Sequence, residues 1–254
     1  MKLRVLFFAS IIASLALTSC SDKEEIFETE LLTDYMPLQP GKYITYRVDS
    51  LVQTAFQLGL TTRSYQIKHV VDSEITDNQG RPSYRVYRYS RNADGSGEWN
   101  ANGSYFVTIL NDQVEVIEDN LRVIKLHAPF REGFTWKGNR YLSNDPYDFF
   151  GYNFSNDDDM RNWDFYYDIF EPVFSFNGND YNDVYTVEQQ DDFSNVPIVD
   201  DESYGYTSRS VERYAKGIGL VYREHTLWEY QPNLSGADPY YTGFGVVQWM
   251  IDHN

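Results

Sequence analysis

The stretch SYFVTILNDQVEVIEDNLRVIKLH, residues 104–127, decides the fold class. Its segments 104–110, 113–118 and 121–127 are rich in Val, Ile and aromatic residues, which suit a pleated surface. Asn111-Asp112 and Asp119-Asn120 separate them, and such dipeptides tolerate the backbone angles of tight hairpin turns. Three strands joined this closely make an antiparallel meander. A parallel sheet needs a crossover of about a dozen residues or more between neighbours, and no such length is present here.

The same pattern extends in both directions. Upstream, residues 42–52 place Ile44, Tyr46 and Val48 on one face of a half-buried strand. Residues 63–75 and 82–91 form a pair around the turn cluster 76–81, and 92–97 is a loop with two glycines. Downstream, residues 129–138 return Phe130, Phe134 and Trp136 to the core. Strand character resumes over 181–190 and 207–214, then over 214–224 with a return strand at 227–230. Residues 143–172 break the pattern. Trp163, Tyr166, Tyr167 and Phe170 follow i, i+3, i+4, i+7, which predicts a short amphipathic helix over 160–171. Asn156 or Asp157 would cap it and Pro172 would end it, with Trp163, Tyr167 and Phe170 turned inward to close one mouth of the sheet. The expected fold is all-β, mainly antiparallel, with eight to twelve strands. It is a single twisted sheet, a half-barrel or a sandwich, carrying one short helical insertion.

The segments LQPGKYITYRV (38–48), GFTW (133–136) and YAKGIGLVYRE (214–224) resemble those of uncharacterised envelope lipoproteins built as twisted β half-barrels. That resemblance implies a fold and no reaction. In the last segment, Gly217 and Gly219 need only bend a strand or let backbone pass close to a neighbour.

The amino terminus supplies an address. Lys2 and Arg4 precede an apolar run over 5–17, too short for a durable transmembrane helix, and the run ends at Leu17-Thr18-Ser19-Cys20. Cys20 is the one cysteine of the chain, at the position that follows a signal-peptide cleavage site. This resembles the lipobox of bacterial lipoproteins, which implies a lipidated Cys20 and an outer-membrane anchor. Each acyl methylene buried in a bilayer contributes about 0.8 kcal/mol, so two or more chains hold a protein stably. Ser21-Asp22-Lys23-Glu24-Glu25 resembles the surface-export tag of Bacteroidetes-type lipoproteins, with Lys23, Glu24 and Glu25 as its signature. The organisation expected is a signal peptide over 1–19, an acidic tether over 20–34 and one β domain over 35–254.

Composition narrows the partners. The net charge is −17, and removing Lys2 and Arg4 makes it −19. A nucleic-acid backbone demands clustered cations, so nucleic acid is not an expected partner. None of His69, His127, His225 and His253 belongs to a catalytic motif, and no phosphate-binding loop occurs. Asn156-Asp157-Asp158-Asp159, Asp191-Asp192 and Asp200-Asp201-Glu202 lack the spacing of a calcium loop, and Asn92-x-Asp94-Gly95 has Ala101 where the bidentate Glu belongs. No metal and no cofactor is therefore expected. The aromatic share of 17% offers a different handle, since rings on a β surface stack on sugars or apolar ligands. Trp99, Trp163, Tyr166 and Tyr167 are the candidate ligand-binding residues. The expected role is a non-catalytic binding or accessory one at the cell surface, toward glycan or envelope proteins. The alternative is a glycan hydrolase using a carboxylate pair.

Overall fold

In the computed structural model, residues 30–155, 159–232, 236 and 238–254 are described. Cys20, Lys23, Glu24 and Glu25 lie outside them, as do Asn156, Asp157 and Asp158. Among the described residues, one α-helical turn, α1 (Leu32–Tyr35), precedes twelve strands. These are β1 (Tyr43–Gln53), β2 (Leu60–Thr76), β3 (Pro82–Asn92), β4 (Asn100–Ile109), β5 (Gln113–Glu118) and β6 (Leu121–His127), then β7 (Thr135–Trp136), β8 (Phe165–Phe176), β9 (Asn179–Ser194), β10 (Gly205–Ala215), β11 (Gly219–Gln231) and β12 (Tyr240–His253). All pair antiparallel in one sheet, in the order β6-β5-β4-β3-β2-β1-β12-β11-β10-β9-β8-β7. The all-β expectation is met, as a single sheet. β12, which the sequence reading passed over, joins the two halves between β1 and β11.

The sheet curls until its two edges meet. An open edge leaves backbone groups unpaired, and this one is closed mostly by side chains. The Ile124 N–H of β6 donates to Gly138 O at 2.9 Å, and the Trp136 indole N–H donates to Ile124 O at 2.9 Å. Further along β6, the Tyr167 hydroxyl donates to His127 O at 2.8 Å and accepts from His127 N at 3.2 Å. Gly138 fits because it lacks a side chain: a Cβ there would lie 2.3 Å from the Phe165 ring.

The expected helix over 160–171 is not formed. Met160–Asn162 is one 3-10 turn, and β8 starts at Phe165. The aromatic spacing suits either period, and cross-strand pairing with β9 selects the strand. Pro172 is tolerated because β7 covers only the Phe165–Tyr166 end of β8, leaving the rest an edge. The inward turn holds for Trp163 and Tyr167, which are buried, whereas Phe170 is half-buried against Tyr185.

The two ends of the barrel differ. One is plugged by α1, whose buried Tyr35 stacks 4.6 Å from Phe130, and whose Asp34 carbonyl accepts from Gly217 N at 2.7 Å. Gly217 and Gly219 adopt φ of 75° and 109° in the β10–β11 turn, angles that suit glycine. Over the opposite end run residues 137–155 and 159–164 of the long β7–β8 connection. A second core cluster forms where the β8–β9 hairpin meets β10–β12, around Phe174, Tyr181, Val211, Tyr222 and Met250.

Candidate functional site: a divided chamber inside the barrel

Inward positions that normally carry apolar side chains here carry charges. Glu212, Arg223 and Gln248 lie opposite one another on β10, β11 and β12, forming one row across the sheet. Lys125 reaches this row from β6 and Gln189 from β9. Each is left without an opposite residue at a β-bulge, a device that re-aims side chains.

Glu212 is 1% exposed and fully satisfied. It accepts from Lys125 Nζ at 2.7 Å, Gln189 Nε2 at 2.9 Å and Tyr214 Oη at 2.8 Å, and Arg223 Nε lies at 3.4 Å. Glu118 on β5 accepts from Arg88 Nη1 at 2.6 Å and faces Arg223 Nη1 at 3.5 Å. Burial pushes both carboxyls up, but the neighbouring cations outweigh it and hold them below the usual glutamate range. Burial pulls the Lys125 ammonium down from its ordinary value.

This charged belt divides the interior in two. A small chamber of about 90 Å³ lies toward α1, beside Pro37 and Ile218. A larger one of about 370 Å³ lies toward the 137–164 connection. His69, Val116, Glu118, Lys125, Arg223 and Gln248 line both. Above the belt the larger chamber is walled by Ile67, Leu121, Val123, Val246 and Phe244, and covered by Tyr147, Phe150, Tyr152 and Trp163. Phe150 lines the chamber while remaining partly exposed, so the chamber reaches the surface beside it. Phe56, Leu58, Phe149, Phe193 and Val199 are exposed in or beside the connections at this same end.

One hydrogen-bonded chain ties the cover to the belt. Gln189 presents its amide N–H to Glu212, so its carbonyl faces Ser210, whose Oγ–H donates at 2.6 Å. The Ser210 proton is thereby committed, so His225 Nδ1–H donates to Ser210 Oγ at 2.9 Å. His225 Nε2 then accepts from Tyr147 Oη at 2.8 Å. Burial, with Arg223 and Lys125 nearby, pushes the His225 pKa well below the ordinary histidine value, consistent with this neutral tautomer. His69 is lowered to about 4, chiefly by burial, and its Nδ1 lies 3.1 Å from Tyr105 Oη.

Ser210 and His225 are adjacent, but the proton runs from His225 to Ser210, the reverse of what an activated nucleophile needs. A glycosidase acid must hold its proton near neutrality, whereas Glu118 and Glu212 are both shifted the other way. Burial does push the Glu188 carboxyl up, but it is bonded to Arg209 and does not line the chamber. Among the described residues no three His, Cys, Asp or Glu side chains gather as metal ligands. Asp94 and Asp200 instead accept from Ser96 and Ser203 of their own turns, and Asp192 accepts from Tyr206 Oη.

Of the four aromatic candidates, Trp163 lines the chamber. Tyr167 is fully buried in the core and serves the barrel seam. Tyr166 lies half-buried on β8, and Trp99 is half-buried on the β3–β4 connection with the Arg91 guanidinium 4.2 Å over its ring. The structure does not bring these two to the chamber. His69 and His225 are interior, and Arg88, Glu118, Lys125, Glu212 and Arg223 were not among the expected site residues. A signal for some of them existed. Val221, Arg223, His225 and Leu227 alternate along one strand, so two polar residues share the face of two apolar ones.

No protein-family model matches the chain, and no curated protein matches it. Among solved structures it is similar to a DUF1329 family protein from Desulfovibrio piger, at 13% identity. The alignment covers 85% of this chain and 86% of that one, with a TM-score of 0.19. At so low a score the chamber must be understood from its own residues.

Proposed function

We propose that the protein is a lipid-anchored component of the cell envelope that takes a small ligand into the larger chamber and does not transform it. The chamber carries the reading. At about 370 Å³ it falls in the size range of small-molecule sites, and it combines an apolar wall with a few convergent polar groups. The amino-terminal pattern ending in Cys20, with Lys23, Glu24 and Glu25 behind it, supports an outer-membrane anchor facing the cell exterior. Envelope proteins or glycan at that surface are the partners this address favours.

Two measurements test the reading. Cys20→Ala should move the protein from the membrane fraction to the soluble one; retention in the membrane would refute the anchor. The soluble domain should take up the neutral dye N-phenyl-1-naphthylamine, and Val123→Trp, which fills the chamber, should abolish uptake. Equal uptake by wild type and variant would place binding elsewhere and refute the chamber.

A further inference from the structure

We infer that the ligand of the larger chamber is an apolar monocarboxylate, whose carboxylate sits on Arg223 and whose body lies under Tyr147, Phe150 and Trp163. This rests on the chamber being a binding site and adds what it reads.

The charges of the belt limit the charge of the ligand. Arg88, Lys125 and Arg223 stand against Glu118, Asp119 and Glu212, so the belt is balanced three against three. Asp119 is the most exposed of the three carboxylates, at 48%, so water screens it more than the two inner ones. A ligand with one negative charge disturbs this balance less than a dianion would.

Arg223 is the most loosely held cation of the belt. Lys125 is bonded to Glu212 at 2.7 Å, and Arg88 is fixed by Glu118 and Asp119 at 2.6 and 3.0 Å, although its Nε has no partner among the described residues. Arg223 makes its two ion pairs at 3.4 and 3.5 Å, beyond the range of strong charge-assisted bonds. Its side chain is 23% exposed although it lies at the centre of the barrel, and it lines both chambers. A guanidinium held this loosely can turn its planar fork to a carboxylate.

A further donor agrees. Gln248 lies opposite Arg223 in the belt, lines this chamber and is more than nine-tenths buried, and its Nε2 has no hydrogen-bond partner among the described residues. A buried donor left unpaired costs about 1–3 kcal/mol, so a ligand that brings acceptor oxygens is favoured over a hydrocarbon. The rest of the wall is apolar and aromatic, which calls for an apolar body. The apolar rim formed by Phe56, Leu58 and Phe149 offers such a body a route from a surface into the chamber.

Calorimetric titration of the soluble domain with decanoate, 4-phenylbutanoate and decanol tests this. At least one carboxylate should bind at 1:1 stoichiometry, with decanol at least tenfold weaker than decanoate if the body is alkyl. Selective binding of 4-phenylbutanoate would equally support the inference and identify the body as aromatic. Arg223→Lys keeps the positive charge and the folded belt but loses the fork. It should weaken the carboxylate by tenfold or more, in protein whose amide spectrum remains that of the folded domain. Decanol binding as tightly as decanoate, or Arg223→Lys binding carboxylate with wild-type affinity, would overturn the inference while leaving the chamber as a site. Failure of every carboxylate despite dye uptake would also overturn it. Loss of the dye as well, in wild-type protein, would bring down the binding reading itself.

Discussion

Replacing Tyr167 with Phe removes one oxygen atom and should open the barrel at its seam. The Tyr167 hydroxyl is the partner of both backbone groups that His127 turns toward β8, donating at 2.8 Å and accepting at 3.2 Å. The residue is fully buried among Phe130, Trp136 and Tyr185, so the phenyl ring of the variant keeps its packing. What is lost is the pairing of one part-buried N–H and one part-buried C=O. A fully buried group left unsatisfied costs about 1–3 kcal/mol, and with water able to relieve part of this the variant should lose about 1–3 kcal/mol in all. Urea unfolding would read this as a lower midpoint with an unchanged slope. Amide exchange should accelerate along β6, most at His127. As a comparison, Tyr181→Phe removes a hydroxyl that serves one carbonyl, Met250 O at 2.7 Å, and should cost about half as much without touching β6. A loss below about 0.5 kcal/mol for Tyr167→Phe, or a larger loss with β6 exchange unchanged, would refute the idea that side chains close this barrel.

Other consequences follow from the same geometry. Gly138→Ala should destabilise the fold, because its Cβ would meet the Phe165 ring at 2.3 Å; wild-type stability would mean the seam is more pliant than drawn. Stability should fall on acidification. His69 is held at about 4 against 6.5 for an unperturbed side chain, so between those values the unfolded chain takes up a proton that the folded chain refuses. Its contribution is complete above pH 6.5 and is lost as the pH drops through that window, on the order of 3 kcal/mol. His225 acts in the same direction, and Glu118 and Glu212, with lowered folded values, extend the loss below the usual glutamate range. Urea midpoints that rise from pH 6.5 to 4.5 would contradict this. Changing Lys23, Glu24 and Glu25 to Ala should leave the protein lipidated but shield it from protease added to intact cells; unchanged cleavage would reduce the cluster to a tether.

The sheet was legible in the sequence where turns are short. Residues 113–118 and 121–127 match β5 and β6, and Asp119 and Asn120 adopt φ of 50° and 65°, as a tight hairpin turn requires. Legibility fails where the alternation of two is broken. The bulges at Lys125 and Gln189 cannot be read from residue types, yet they bring both side chains to Glu212. The misread helix has a similar origin, since Trp163, Tyr166, Tyr167 and Phe170 satisfy a helical spacing that a bulged β8 also meets between Tyr167 and Phe170. Interior charges were hidden for another reason. Arg88, Glu118, Lys125 and Arg223 look like surface residues one at a time, and only strand order shows that they face one another. Trp163 stood out in the aromatic cluster where the β pattern breaks and lines the chamber, whereas Trp99 stood out in a glycine-rich loop and lies away from it.

The chamber as the seat of ligand binding is tested most directly by the indole N–H resonances of the tryptophans. Trp163 lines the chamber with its Nε1 unpaired, Trp136 is bonded to Ile124 in the seam, and Trp99 rests under Arg91 on a connection. Trp249 on β12 packs against Phe176, 5.5 Å away between ring centroids, and does not line the chamber. Titration with decanoate or 4-phenylbutanoate should shift the Trp163 indole signal strongly and saturably, while those of Trp99 and Trp249 stay in place. Saturable shifts at Trp99 or Trp249 with Trp163 unmoved would put the ligand away from the chamber and contradict the account.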